Sequence, residues 1–300
     1  MNFGSGPGEL ENAASTILTS REKYASVGEA AAPRLPSLLQ QLRKQDATDP
    51  RDRVYGFLGM STNEYAIEPN YRMSKEVLYT RVARHMLARV LLVLMWVESP
   101  DREITSNGLP SWVTDYTTRQ SHTTLAMNAR WTAFSANQNF PPPAPEGADE
   151  PHLGQSIEDR TLLVRGIRVG TLTEVRDVRI TVDPELDGED SVRLFGYKSA
   201  GRLHSIDKED GTEGSFRNSS WGPCKAAAGD LIVVAATSTV PLVLRSAGDG
   251  GYLFVGGCWL VESEIQNLVE VREARGFSPV MFGSACAGVE ASEVELFPIR

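Results

Sequence analysis

Apolar residues along this chain change their spacing near its middle. In the first half they recur every three or four residues; in the second they alternate or run together over strand-length stretches. Leu10, Ala13, Ala14, Ile17, Leu18 and Tyr24 lie near one face and predict a helix over 9–27. Leu38, Leu39 and Leu42 predict a second over 37–46. Ser74 is placed to cap a long helix carrying Val77, Leu78, Val82 and Met86. The most apolar run, 90–97, either continues that helix or forms a short strand before Ser99-Pro100 ends it. Its eight residues fall far short of the ~20 that a membrane helix needs.

Residues 140–151 (FPPPAPEGADEP) hold five prolines in twelve residues and read as a linker. The match to a proline-rich recognition motif there is weak. Beyond it, 161–175 alternates with period two, setting Leu163, Arg165, Ile167 and Val169 against Val164, Gly166, Arg168 and Gly170. A strand or short helix is expected at 192–197. Gly229-Asp230 turns into an apolar strand at 231–235, with further strands at 241–245, 252–259 and 294–299. Residues 247–251 read as a hairpin turn and 261–273 as a helix. These signals predict an α+β protein, with a helical region (1–139), a linker (140–160) and a β-rich domain (161–300). The latter should be a small antiparallel barrel or strongly bent sheet.

Two stretches stand out. In 48–59 (TDPRDRVYGFLG), Asp49 is an N-cap and Pro50 occupies the first helical position, where its missing N–H costs nothing. Asp52 sits near the positive end of the helix dipole. Val54, Tyr55 and Leu58 share a face, and Gly59 is expected to close the helix in a left-handed conformation. Arg51 and Arg53 flank this helix. Arg51 is expected to pair with Asp52 or Glu68 or to meet another domain, and both arginines are candidates for an exposed docking surface. In 108–116 (GLPSWVTDY), the proline fixes an extended segment and places Trp112 and Tyr116 as core anchors, with ligand stacking as the alternative role.

Charge and composition narrow the function. The formal net charge of −9 leaves no basic patch large enough for a phosphate-driven nucleic-acid interface, and argues against adhesion to anionic membranes. The three cysteines, Cys224, Cys258 and Cys286, have no metal-ligand spacing and read as free thiols of a reducing compartment. The four histidines are isolated in sequence. No leader is evident at 1–10, so a cytoplasmic location is expected. No catalytic constellation, metal or cofactor is expected.

Together these stretches resemble one family. The run Asp49-Pro50-Arg51-Asp52-Arg53-Val54-Tyr55-Gly56-Phe57-Leu58-Gly59 is similar to a signature that follows the HET domain of fungal heterokaryon-incompatibility proteins. Leu109-Pro110-Ser111-Trp112-Val113 resembles a second run of that family, with Thr114 and Tyr116 standing where Pro and Trp are usual. Further matches keep their order: Leu163 to Gly166, Trp221-Gly222-Pro223, Gly229-Asp230-Leu231-Ile232-Val233, Val240 to Arg245, and Tyr252 to Trp259. There are departures at Gly256-Gly257 and at 260–267. The HET domain's own strings, Leu-Ser-Tyr-x-Trp-Gly and Trp-Ile-Asp-x-Ile-Cys-Ile-Asn-Gln, do not occur in this sequence.

The resemblance therefore implies the region downstream of the HET domain, in a truncated paralogue or a stand-alone accessory protein. It implies a non-enzymatic protein-interaction module in fungal self/non-self recognition, with another protein as partner and a HET-domain protein as the candidate. The alternative is an accessory enzyme or small-molecule-binding protein associated with a biosynthetic cluster, its pocket near Trp112 and Tyr116. A fragment without independent function is a third expectation.

Overall fold

A computed structural model describes residues 35–41, 43, 45–61, 67–87, 94, 97, 104, 108–118, 134–142, 160–181, 189–199, 219–223, 225–236, 238–261 and 279–300. Within them, three α-helices precede eight strands. The helices are α1 (Leu35–Gln41), α2 (Asp52–Leu58) and α3 (Lys75–Leu87). The strands are β1 (Leu162–Thr181), β2 (Glu189–Ser199), β3 (Ser219–Gly222), β4 (Leu231–Ala235), β5 (Leu242–Ser246), β6 (Tyr252–Gly257), β7 (Trp259–Val261) and β8 (Glu295–Ile299). The protein is thus α+β. The helix expected over 9–27 and most of the 90–97 run lie outside the described residues. So does the 261–273 helix, apart from Val261 in β7.

Local chemistry accounts for the helices. Ser74 caps α3 as expected: its hydroxyl accepts the Val77 N–H at 3.3 Å and its carbonyl the Leu78 N–H at 3.0 Å. Leu78, Tyr79, Val82, Ala83 and Met86 face the core, while Val77 turns outward. Among the described residues, no helix is long and apolar enough to cross a membrane.

The sheet is built around β1. Its first residues pair with β8 (Leu162 opposite Ile299), its middle with β4 (Ile167 opposite Val234) and its far end with β2 (Val178 opposite Val192). Strands β4, β5, β6 and β8 continue from one another, and β4 also pairs with β1. Five strands are therefore linked in a closed cycle, and β2, β3 and β7 extend from it. One expectation is corrected. The pairing is mixed rather than wholly antiparallel, because β6 and β8 run parallel where Tyr252 meets Ile299. A parallel neighbour needs a long crossover, and residues 258–294 supply it, ending in short 3₁₀ turns at Pro279–Phe282, Ser284–Cys286 and Ala291–Glu293.

Gly166 sits where β1 passes from β8 to β4. A Cβ there would lie 2.5 Å from Val233 Cγ1 and 3.0 Å from the Phe297 ring, so only glycine fits this crossing. A bulge follows between Arg168 and Gly170 and bends the strand.

Among the described residues, the buried apolar side chains form one cluster running from Leu35 through α2, α3 and the Trp112 loop to Ile299, apart from Leu38, which packs separately with Phe57 and Met60. The linker expected over 140–160 falls largely outside the described residues.

Candidate functional site

The two singled-out stretches meet. Regular α-helix begins at Asp52, two residues later than the capping pattern alone implies. Before it, Asp49 Oδ1 accepts the Arg51 N–H at 2.9 Å and the Asp49 carbonyl accepts the Asp52 N–H at 3.0 Å. Asp49 therefore caps the turn that leads into the helix. Gly59 departs from expectation: its φ of −71° and ψ of −9° are right-handed, so α2 ends without a left-handed glycine.

Arg51 folds back on Asp49. Its Nε meets Asp49 Oδ1 at 2.9 Å and its Nη2 meets Oδ2 at 2.7 Å. Its Nη1 donates to the carbonyls of Tyr71 and Met73. The partner is Asp49, not Asp52 or Glu68. This hydrogen-bonded pair holds the Asp49 carboxyl below its ordinary value. Asp52 instead accepts the Tyr71 hydroxyl at 2.5 Å, and that bond raises the Tyr71 phenol. Tyr55 is buried beneath, donating to the Asn70 carbonyl at 3.2 Å and meeting Tyr71 edge to face. Leu58 packs on the core margin.

Arg53 reaches furthest. Its Nη1 donates at 3.0 Å to both the Arg43 and the Tyr116 carbonyls. Its Nη2 meets Asp46 at 3.3 Å. The Arg53 side chain is only 15 % exposed. The expected exposed docking surface is corrected here: the guanidinium groups of Arg51 and Arg53 are committed to carbonyls and carboxylates of the same chain.

The second stretch receives these contacts. The Tyr79 hydroxyl on α3 donates to the Pro50 carbonyl at 2.5 Å, and its ring meets Tyr116 edge to face at 5.0 Å. Burial pushes both phenols well above their ordinary values; the Asp115 charge adds to this at Tyr79, while Arg43 opposes it at Tyr116. Arg43, also buried, donates to the Asp115 carbonyl at 3.0 Å and the Thr118 carbonyl at 3.1 Å. The Asp115 carboxylate accepts the Thr117 N–H at 2.9 Å and hydroxyl at 2.6 Å. Trp112 donates its indole N–H to the Arg160 carbonyl at 2.9 Å, with the Arg84 guanidinium over its ring. Trp112 and Tyr116 are 1 % and 2 % exposed, so both are core anchors in this conformation, not stacking platforms.

Ser111 carries the joint into the sheet. Its N–H and hydroxyl both donate to the Arg300 carbonyl just after β8, and its Oγ accepts the Phe254 N–H of β6 at 2.8 Å. One continuous set of bonds thus runs from α2 through the Trp112 loop to two strands.

A second polar centre lies within the sheet. Asp230, 2 % exposed, accepts Arg245 Nε at 2.8 Å and Nη2 at 2.9 Å, and also the Ala227 N–H at 2.8 Å. Arg245 donates further to the Lys225 carbonyl at 2.7 Å, and the paired carboxylate raises its pKa. Nearby, a Cβ on Gly256 would lie 2.6 Å from Pro223 Cβ, so β6 passes directly against that proline.

Sequence reasoning did not anticipate Arg43, Tyr79, Asp115, Ser111 or the Asp230–Arg245 pair as members of polar centres. Asp230 and Arg245 were visible only as separate parts of two turn-and-strand patterns. Among the described residues no cluster of His, Cys, Asp and Glu is arranged to hold a metal. His85 lies on α3, and the other three histidines lie outside the described residues. Burial raises both described thiols: Cys258 strongly, Cys286 to about 11. Most of the polar groups in both centres bond to one another, an arrangement that holds the chain in shape, while the buried Tyr116 hydroxyl has no hydrogen-bond partner among the described residues. No family model, curated protein or solved structure matches this chain.

Proposed function

We propose that the chain is the scaffold region that follows a HET domain and acts as a non-enzymatic protein-interaction module in fungal self/non-self recognition. One observation carries the reading: the residues that carry the resemblance meet each other in space. Arg53 of the first signature binds the Tyr116 carbonyl of the second. Asp230 of the Gly-Asp match binds Arg245 of the Val-Pro match. Gly256 of the Tyr-Leu-Phe-Val-Gly match lies against Pro223 of the Gly-Pro match. Ordered matches that converge pairwise are what a shared scaffold produces, and each pair has a structural duty that a reaction would not need.

The partner on this reading is a HET-domain protein, and the place of action is the cytoplasm. The joint around Arg53, Tyr79 and Trp112 would keep the helices at a fixed angle to a small five-stranded barrel, and so present a rigid surface to that partner. The test is co-expression with the HET-domain proteins encoded in the same genome, followed by size-exclusion chromatography and calorimetry. A stoichiometric complex with one of them is expected. Failure to bind any of them, together with unchanged incompatibility in a deletion strain, would overturn the reading.

A further inference from the structure

Strand β1 outruns the closed cycle of strands. At Gly166 it pairs with both β8 and β4, so those two strands lie on its opposite edges. At Gly170 it pairs with both β4 and β2, so β2 lies on the β8 edge. The β4 edge ends at Leu172, whose N–H donates to the Asp230 carbonyl and whose carbonyl accepts the Gly229 N–H, both at 2.8 Å. The β2 edge goes on to Thr181, opposite Glu189. Over 173–181, β1 therefore has no partner strand on its β4 edge among the described residues. Thr173, where that edge opens, is exposed.

An edge of this kind presents backbone N–H and C=O groups that another chain can pair with. Proline and lysine are common guards against such pairing, and 173–181 (TEVRDVRIT) contains neither. Five of its nine residues are Val, Ile or Thr, which favour strands. Its two acids balance its two bases, so two copies of it meet without net repulsion although the chain as a whole carries a formal charge of −9.

Register decides which partner fits. Residues of a strand turn their N–H and C=O groups to its two edges alternately, so two copies of one edge pair antiparallel only about a residue that stands opposite itself. Centred on Glu174, Arg176, Asp177 or Arg179, the pairing sets like charges opposite each other. Centred on Val178, it sets Val178 opposite itself and Asp177 opposite Arg179 twice, with Arg176 opposite Ile180 and Val175 opposite Thr181. The other centres pair fewer residues before reaching Leu172 or the end of β1. The rows also continue into β2, where Val192 stands opposite Val178, Arg193 opposite Asp177 and Ser191 opposite Arg179. Across β2, β1 and the same two strands of a second copy, the central row is four valines. The next row reads Arg193, Asp177, Arg179, Ser191, alternating in sign.

We propose that β1 dimerises the protein: residues 175–181 pair antiparallel about Val178 with the same residues of a second copy and join the two sheets into one. The paired segment is about 20 Å long. Backbone hydrogen bonds supply the affinity, and the two Asp177–Arg179 positions fix the register. The inference does not rest on the scaffold reading, because the partner is this chain itself.

Sedimentation equilibrium of the full chain over a range of concentrations tests it. A reversible monomer–dimer equilibrium is expected. R179D sets an acid opposite Asp177 of the second copy, while its neighbour on β2, Ser191, is neutral. It should weaken the dimer at least tenfold with an unchanged circular dichroism spectrum. D177R, which sets a base opposite Arg179 of the second copy, should weaken it as well. Mixed in equal amounts, the two variants should pair with each other as tightly as the wild type pairs with itself, since every 177-to-179 position then joins opposite charges. That rescue separates a lost register from a lost fold. A chain that stays monomeric throughout, a dimer that R179D leaves as tight as the wild type, or a mixture that does not recover would overturn the proposal.

Discussion

Replacing Arg53 with alanine tests how the helices are fastened. The side chain gives three bonds, and they are unequal. Asp46 is 86 % exposed, so its pairing is screened and contributes about 0–1 kcal/mol. The Arg43 and Tyr116 carbonyls each accept a charged donor at 3.0 Å beneath a guanidinium that is 15 % exposed. Hydrogen bonds to charged groups contribute about 1.5–3 kcal/mol each. Two at the lower end give a loss of about 3 kcal/mol, more than a hundredfold in the folded-to-unfolded ratio. Urea unfolding followed by circular dichroism measures it as a lower midpoint with an unchanged slope. R53K should recover about half, because an ammonium has N–H groups for both carbonyls that Nη1 serves but its stem ends one bond short of that position. A loss below about 0.5 kcal/mol, the size of an ordinary surface substitution, would refute the reasoning.

Glycines separate structural need from sequence appearance. G166A should destabilise by about 1–3 kcal/mol, since its Cβ would meet Val233 and Phe297. G59A should be close to neutral, because Gly59 is right-handed with open space around it; thermal melts of the two variants report both. D230A leaves the Arg245 guanidinium and the Ala227 N–H without their carboxylate, and should cost about 2–3 kcal/mol by urea unfolding. Asp49 contributes to the pH dependence. Its folded pKa lies below the ordinary 3.8, so its stabilisation is present above the unfolded value and is lost as pH falls through the folded one. Carboxyl-carbon NMR should place the Asp49 midpoint below 3.8, and R51A should return it towards that value.

Sequence legibility followed the range of the interactions. The Ser74 cap, the Leu78, Val82 and Met86 positions of the α3 stripe (though not Val77, which is exposed), the strand at 231–235 and the hairpin turn at 247–251 are set by neighbours within a few residues, and could be read from spacing. Pattern placed the last strand within one residue. Longer reach was lost. Arg53 is 63 residues from the Tyr116 carbonyl, and nothing local distinguishes a guanidinium aimed at a distant carbonyl from one aimed at solvent. Arg51 was close to its partner, yet bent back to Asp49 instead of on to Asp52; the choice depends on where the Tyr71–Met73 turn folds over. The left-handed end expected at Gly59 failed because the helix closes in right-handed turns, a conformation open to any residue. The parallel β6–β8 pairing depends on the long crossover, which alternation within a strand does not encode. The Asp230–Arg245 pair was split between two motifs that each looked complete as a turn or a strand.

The central claim is that the two signature stretches fasten the helices and the sheet into a single cooperative fold. Native-state hydrogen exchange tests it most directly. In the wild type, amides of α3 such as Tyr79 and Val82 should share their largest opening free energy with amides of β4 and β5 such as Val233 and Val243. In R53A both sets should fall together by about 3 kcal/mol. A fall confined to α3, with the β4 and β5 amides unchanged, would contradict the claim and show the helices to be a separate unit resting on an independent sheet.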